Sequence, residues 1–334
     1  MKAICSSKVG INELVLNDIK QPTITPDHVL IKVSACGVNH GDLAWINGFI
    51  PRGISPESVD DVAGVSGAGE VAEIGKNVPS GFKGNKVAFY RSLNPSSSKV
   101  GAWCEYALMH YLDCILLPKE VETIEYCGSL VNIIAPYAFI EHTKINPEKA
   151  VIATAGTSAT GLALSGIAQV KNIPVISIVR NESGKQILEE LNAKHILVQS
   201  DNDFEEQLQT LSQELNATTV FDGVGGALIT KIAPLLPFGS TIYAYGFLAG
   251  KESVCFDTSL LLMKNLTLTS FGGFTSETVR NPEKLNIALN AIKDFVHFPH
   301  FKTKVGHKFT LQEYKEALEY SVTGNKNGNA VFTF

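Results

Sequence analysis

The 334-residue sequence carries no C-x-x-C pair among its six cysteines (Cys5, Cys36, Cys104, Cys114, Cys127 and Cys255). A chain of this size does not need disulfide staples, and the thiols are expected to be reduced and mostly buried. Lysine and arginine are scattered, and the formal net charge is −5. No basic stripe is available to neutralise a phosphate backbone or an anionic lipid surface, so nucleic acid and membrane are not expected as partners. The opening M-K-A-I-C-S-S-K-V-G lacks the apolar core and small-residue cleavage site of a secretory signal, and no later apolar run looks long enough to span a bilayer. A cytoplasmic location is expected. Internal repeats and low-complexity segments are also missing, which excludes solenoids and flexible linkers.

What the chain does have is apolar material, 45% of its residues, and 28 glycines for tight turns. Its length suits two domains. Up to about Glu120, short alternating or apolar runs (Val29–Val33, Gly69–Ile74, Lys86–Phe89) are broken by Gly, Pro, Asn and Ser, the pattern of an irregular β domain. From about Cys127 the rhythm changes. Short apolar strands are expected at Ala150–Ala155, Val175–Val179, Ile196–Val198, Thr219–Asp222, Ser240–Gly246 and Leu266–Phe271, separated by helical stretches at Thr160–Val170, Gly184–Leu191, Phe204–Leu215 and Ala227–Leu236. Strand and helix in alternation imply parallel pairing, because a parallel partner is reached only by a crossover. This predicts an α/β protein with a doubly wound parallel sheet. A helix over Glu283–Phe295, a β-like piece at Lys304–Phe309, a capped helix start at T-L-Q-E (Thr310–Glu313) and a terminal strand in N-A-V-F-T-F complete the reading. So short a tail is expected to return to the amino-terminal β region.

The first strand of the sheet runs into A-G-T-S-A-T-G, comprising Ala155, Gly156, Thr157, Ser158, Ala159, Thr160 and Gly161. This is not G-x-G-x-x-G, but small residues allow the backbone to approach a pyrophosphate, Ser158 and Thr160 can hydrogen-bond it, and a helix N-terminus favours an anion. An ordinary capped turn in another α/β protein is the competing reading of the loop alone. Roughly 20 residues on, where NAD-selective domains carry a carboxylate for the ribose, the chain reads S-I-V-R-N. Arg180 at that strand end predicts NADP, with Ser183 and Lys185 as lesser phosphate contacts. Y-A-Y-G, Tyr243–Gly246, ends the fifth strand, so Tyr245 and Gly246 are expected at the carboxyl edge, where such sheets bind ligands.

Seven motifs in order then resemble one family: C-G-V-N-H-G-D (36–42), G-V-S-G-A-G-E-V-A-E-I-G (64–75), G-N-K-V-A-F (84–89), V-N-I-I-A-P-Y (131–137), A-G-T-S-A-T-G (155–161), V-R-N (179–181) and F-D-G-V-G-G (221–226). The chain resembles the medium-chain dehydrogenase/reductases along essentially its whole length, in the zinc-independent branch of quinone oxidoreductases and 2-enoyl thioester reductases. The resemblance implies a GroES-like irregular β catalytic domain over 1–122 and 273–334, and a Rossmann dinucleotide-binding domain over 123–272. Zinc relatives hold a cysteine ligand where this chain has Asn39 and a histidine ligand where it has Val65, and neither residue suits zinc. Tyr90–Gly101 contains no cysteine for a structural zinc lobe. Cys36 and His40 make at most a two-ligand fragment, which a buried thiol and a polar loop histidine explain as well; no metal is expected.

The resemblance further implies that Asn39 and Asp42 shape the cleft near the nicotinamide, Asn39 offering amide hydrogen bonds, and that Asn132 approaches from the other domain. A loop-stabilising turn is the other reading of each. Without zinc, hydride transfer needs hydrogen-bond donors or an electron-poor acceptor, so a quinone or enone is the expected substrate. Related reductases often carry tyrosine in G-x-Y-P, but here G-F-I-P places Ile50 at that position, which counts against enoyl thioester reduction. Trp45, Phe49, Tyr90 and Tyr106 are candidate pocket or core aromatics. Asn329 stands where quinone reductases commonly have a lysine, so one cofactor contact is expected to be missing. A homodimer is expected from the resemblance and from the apolar strand N-L-T-L-T-S-F (265–271). A 2-enoyl thioester reductase and a non-catalytic nucleotide-binding protein are the alternatives.

Overall fold

A computed structural model of the chain describes residues 1–6, 10–48, 61–90, 101–323 and 327–334. These fall into two units, residues 133–278 and residues 1–132 with 279–334. The boundaries lie ten and six residues beyond those the sequence suggests, at 122/123 and 272/273. The first shift has a physical cause: Gly128 N–H donates to Thr303 Oγ1 at 2.9 Å, Ser129 Oγ donates to Phe301 O at 2.5 Å, and Thr303 N–H donates to Glu125 O at 2.6 Å. Those bonds tie residues 125–129 to the β-rich unit, and the chain leaves it only within the helix Ser129–Thr143.

Residues 133–278 hold six parallel strands, numbered within this unit: β1 (Val151–Ala153), β2 (Val175–Val179), β3 (His195–Val198), β4 (Thr219–Asp222), β5 (Thr241–Ala244) and β6 (Thr267–Ser270). Their order is β3-β2-β1-β4-β5-β6, every neighbouring pair parallel. This is the order of a dinucleotide-binding sheet, in which the direction of strand addition reverses between β1 and β4 while every strand stays parallel. Each crossover carries its helix: Ala159–Val170, Glu182–Glu190, Phe204–Glu214, Gly226–Ile232 and Thr258–Lys264. Ile152, Ile176, Ile178, Val220 and Ile242 from the strands meet Phe204, Leu208, Ile229 and Ile232 from the helices in one core, as near-continuous apolar strands buried on both faces require. Strands expected to reach Ala155 and Gly246 stop at Ala153 and Ala244. Ala155 takes φ 52°, which ends extended pairing before the nucleotide turn.

The other unit is mostly antiparallel. Strands 305–309, 329–333, 28–37, 66–74, 86–90 and 114–116 follow one another in a sheet to which 106–110 adds beside 28–37, and 14–18, 2–6 and 61–62 form a second sheet. The terminal strand pairs Val331 with Gly37 and Phe332 with Cys36, so the tail does return to the amino-terminal β region. Trp103 is fully buried at the centre, edge-on to Phe332 at 5.2 Å, and its Nε1–H donates to Gly37 O at 3.2 Å. Asn281 caps the helix Pro282–Phe295 by accepting from Glu283 and Lys284 N–H, and Thr310 with Glu313 forms the expected capping box.

One expectation needs correction. The segment Thr123–Thr143, 21 residues at hydropathy 1.2, is long and apolar enough to cross a membrane by length and composition. In the fold most of this segment is buried inside the protein. It is apolar on all sides, with Pro136 in its interior, so no 3.6-residue stripe marks it as a helix in the sequence.

Candidate functional site

The turn after β1 is built for close approach. Ser158 caps the following helix, its Oγ accepting from Gly161 N–H at 3.0 Å. A Cβ on Gly161 would stand 2.4 Å from Ala155 O and 2.8 Å from Gly156 O, so only glycine lets the helix begin this near its own turn. Gly156 N–H donates to Ile178 O at 3.0 Å, which lays the turn against β2. Across the reversal point, buried Thr154 donates from Oγ1 to Asp222 Oδ1 at 2.6 Å and accepts from Gly223 N–H at 2.9 Å. The Asp222 carboxylate also accepts from Val224 N–H at 3.0 Å and from Gly225 N–H at 3.0 and 3.2 Å. F-D-G-V-G-G is therefore held by its own aspartate to the end of β1. The sequence motif names Asp222 but not its partner, 68 positions away.

Arg180 directly follows β2, exposed, with no hydrogen bond or ion pair among the described residues. Ser183 is drawn into the helix cap, its hydroxyl donating to Asn181 Oδ1 at 2.8 Å, and Lys185 is 3.6 Å from Glu182. Of the three residues assigned to a ribose phosphate, Arg180 alone has its charge unspent. Tyr245 follows β5 with its ring stacked on Phe221 at 3.9 Å and 18°. Burial pushes its hydroxyl up to about 12, helped by the nearby Asp222 charge and opposed by Ser158. Gly246 packs on Gly223, where a Cβ would be 2.9 Å from the carbonyl. The fold thus gathers Ala155–Gly161, Arg180 and Tyr245–Gly246 at the carboxyl ends of β1, β2 and β5.

In the β-rich unit, C-G-V-N-H-G-D turns into the helix His40–Ile46. Asp42 is buried, and its carboxylate accepts from Asn39 N–H at 2.7 Å, Asn39 Nδ2 at 3.2 Å and Val65 N–H at 2.9 Å. Asn39 Nδ2 also donates to Ser66 Oγ at 2.9 Å, and its side chain accepts from Asp42 N–H in the capping box. Both amide hydrogens of Asn39 are used, so it can offer a ligand only an acceptor oxygen, not the donor the sequence suggests. Ser66, which sequence reasoning missed, pairs with Tyr90 across the sheet and brings that half-buried tyrosine beside the group. Asn132 is turned back on its own helix, donating from Nδ2 to Gly128 O at 2.6 Å. Trp45 is core, Tyr106 is half-buried in its strand, and Phe49 and Ile50 lie outside the described residues.

Asn39 and Val65, where the resemblance places zinc ligands, are both hydrogen-bonded to Asp42. Burial, with Cys127, Cys104 and Asp42 nearby, raises the Cys36 thiol well above its usual range. Among the described residues no group of three or more His, Cys, Asp or Glu side chains could hold an ion.

Comparison with known proteins adds the following. The alcohol dehydrogenase GroES-like domain model matches residues 25–119, and the zinc-binding dehydrogenase model matches residues 159–288. The mitochondrial enoyl-[acyl-carrier-protein] reductase of Homo sapiens is 24% identical over 312 residues, covering 92% of this chain and 81% of that protein. A Mesorhizobium loti structure provisionally named an NADPH:quinone reductase superposes with TM-score 0.81 at 23% identity, covering 100% of this chain and 98% of the other. A mycobacterial protein solved in complex with NADPH gives TM-score 0.78 at 21% identity, with 100% of both chains covered. At such identities the solved structures show a shared fold.

Proposed function

The chain belongs to the medium-chain dehydrogenase/reductase superfamily, and on that premise we propose that it is an NADPH-dependent oxidoreductase passing hydride to a quinone or other conjugated carbonyl without a metal. The observation that carries this reading is the nucleotide turn with Arg180 exposed beside it and unpaired among the described residues, a combination of anion-binding backbone and available guanidinium that suits a dinucleotide bearing a 2′-phosphate. When bound, NADPH supplies the hydride from C4 of its nicotinamide. The protein's part is binding and orientation: Ala155–Gly161 receives the pyrophosphate, Arg180 the 2′-phosphate, and the Thr154–Asp222 pair holds both loops to the sheet.

The acceptor follows from what the β-rich unit can donate. Asn39 has no hydrogen left to give, and Ile50 replaces the tyrosine seen in related reductases. An acceptor that is already electron-poor fits best, and a quinone or enone is one. A second reading, 2-enoyl thioester reduction, is favoured by the likeness to enoyl-[acyl-carrier-protein] reductase. NADPH consumption with a small quinone, an enone and an enoyl-CoA separates the two. Turnover of the quinone or enone is expected, and turnover of the thioester alone would reverse the ranking. Tight NADPH binding with no acceptor reduced would point to a non-catalytic nucleotide-binding protein.

The same reading includes a homodimer. Among the described residues strand β6 is an edge strand, exposed along its length and paired only with β5, and Leu262 (75% exposed) and Met263 (78%) precede it, with Phe247 and Leu248 also exposed. An apolar, open edge of this kind suits pairing with its own copy. Cytoplasmic residence fits five buried free thiols, Cys5, Cys36, Cys104, Cys114 and Cys127.

A further inference from the structure

Among the described residues of the nucleotide-binding unit, one buried side-chain polar atom has no hydrogen bond, the hydroxyl of Tyr245. Its position is tightly determined. The ring is stacked on Phe221, the backbone N–H of Tyr245 donates to Asp222 O at 2.8 Å, and Gly223 leaves room for the hydroxyl where a Cβ would stand 2.5 Å from it. Its polar neighbour is the side chain of Ser158, the cap of the nucleotide turn, which opposes the upward push of burial on the phenol without reaching hydrogen-bond geometry. Phenol ionisation is disfavoured by burial and by the Asp222 charge, so the group carries its proton and is a donor. A buried donor without a partner costs free energy that a ligand oxygen can recover. The ligand chemistry called for at the Ser158 turn is an anion with acceptor oxygens.

We propose that the Tyr245 hydroxyl donates a hydrogen bond to the pyrophosphate of the bound dinucleotide, making Tyr245 a diphosphate-recognition residue beside the backbone of the turn. This rests on the NADPH reading above and adds to it a side chain that tells a diphosphate from its absence.

The test uses Tyr245→Phe in the full chain, with binding of NADPH followed by fluorescence, and with 2′-phospho-ADP-ribose and adenosine 2′-monophosphate as competitors. The first competitor keeps the pyrophosphate and the second lacks it. Affinity for NADPH and for 2′-phospho-ADP-ribose should fall about 10- to 100-fold, the size of one lost hydrogen bond to a charged group, while the monophosphate is unaffected. The thermal midpoint of the ligand-free variant should be unchanged or higher, because an unpaired buried hydroxyl is removed. Gly223→Ala, which forces the hydroxyl aside, should weaken the same two ligands. Equal affinities of variant and wild type for NADPH would overturn the proposal alone, as would an equal loss for the monophosphate. A wild type that binds none of the three would remove the cofactor reading and this inference with it.

Discussion

Arg180 stands at the end of β2 with its charge unspent, which makes it the residue where cofactor choice can be read. Replacing it with alanine is expected to weaken NADPH about 10- to 100-fold, the loss of a charge-assisted contact of roughly 1.5–3 kcal/mol, and to leave NADH nearly unchanged; titrations of both nucleotides measure the difference. Equal losses would show that Arg180 does not read the phosphate. Asn39 and Asp42 taught the opposite lesson. Their identities were legible as a motif, but the partners that decide their roles are Val65 and Ser66, 23 and 27 positions away. The buried thiol Cys127 offers a further prediction. Folding pushes it from its usual value of 9.0 to about 12, mainly by burial and against a hydrogen bond with Thr303. The native thiol stays protonated while the unfolded chain ionises, so its contribution is complete below pH 9 and is lost as pH rises toward 12. The slope per group is at most about 1.4 kcal/mol per pH unit. Cys127→Ala should therefore show a shallower fall of stability across that window in denaturant titrations at several pH values.

At the scale of elements, the nucleotide turn works because a helix starts almost on top of the loop that precedes it. Gly161→Ala places a Cβ 2.4 Å from Ala155 O, where backbone rather than a mobile side chain must give way. A stability loss of about 1–3 kcal/mol is expected, together with weaker NADPH binding. Gly81→Ala, whose Cβ would meet nothing within 4 Å, serves as the control and should change neither. Thermal unfolding and nucleotide titration of the two variants decide it. Elements with a clear period or cap were legible in the sequence, among them β2, the helix Phe204–Glu214 and the Thr310–Glu313 capping box. The helix Ser129–Thr143 was not, because burial on every side erases the amphipathic stripe by which a helix is recognised.

For the whole molecule, the open edge of β6 predicts a dimer. Light scattering at micromolar concentration should report twice the chain mass, and Leu268→Lys, placing a charge on that exposed strand, should return the protein to monomer. A wild type that scatters as a monomer would contradict the pairing.

The sequence by itself determined the class of each half of the chain, the parallel order implied by alternating strands and helices, and the small-residue turn at Ala155–Gly161. Those features depend on residue spacing along a few turns of chain. The tertiary structure alone decided what those residues touch: that Thr154 locks to Asp222, that Asp42 bonds both Asn39 and Val65, and that Tyr245 is brought to Ser158 with its hydroxyl lacking a hydrogen bond among the described residues. The physical reason is that a hydrogen-bond partner is set by distance in space, and strands distant in sequence meet only once the sheets have formed.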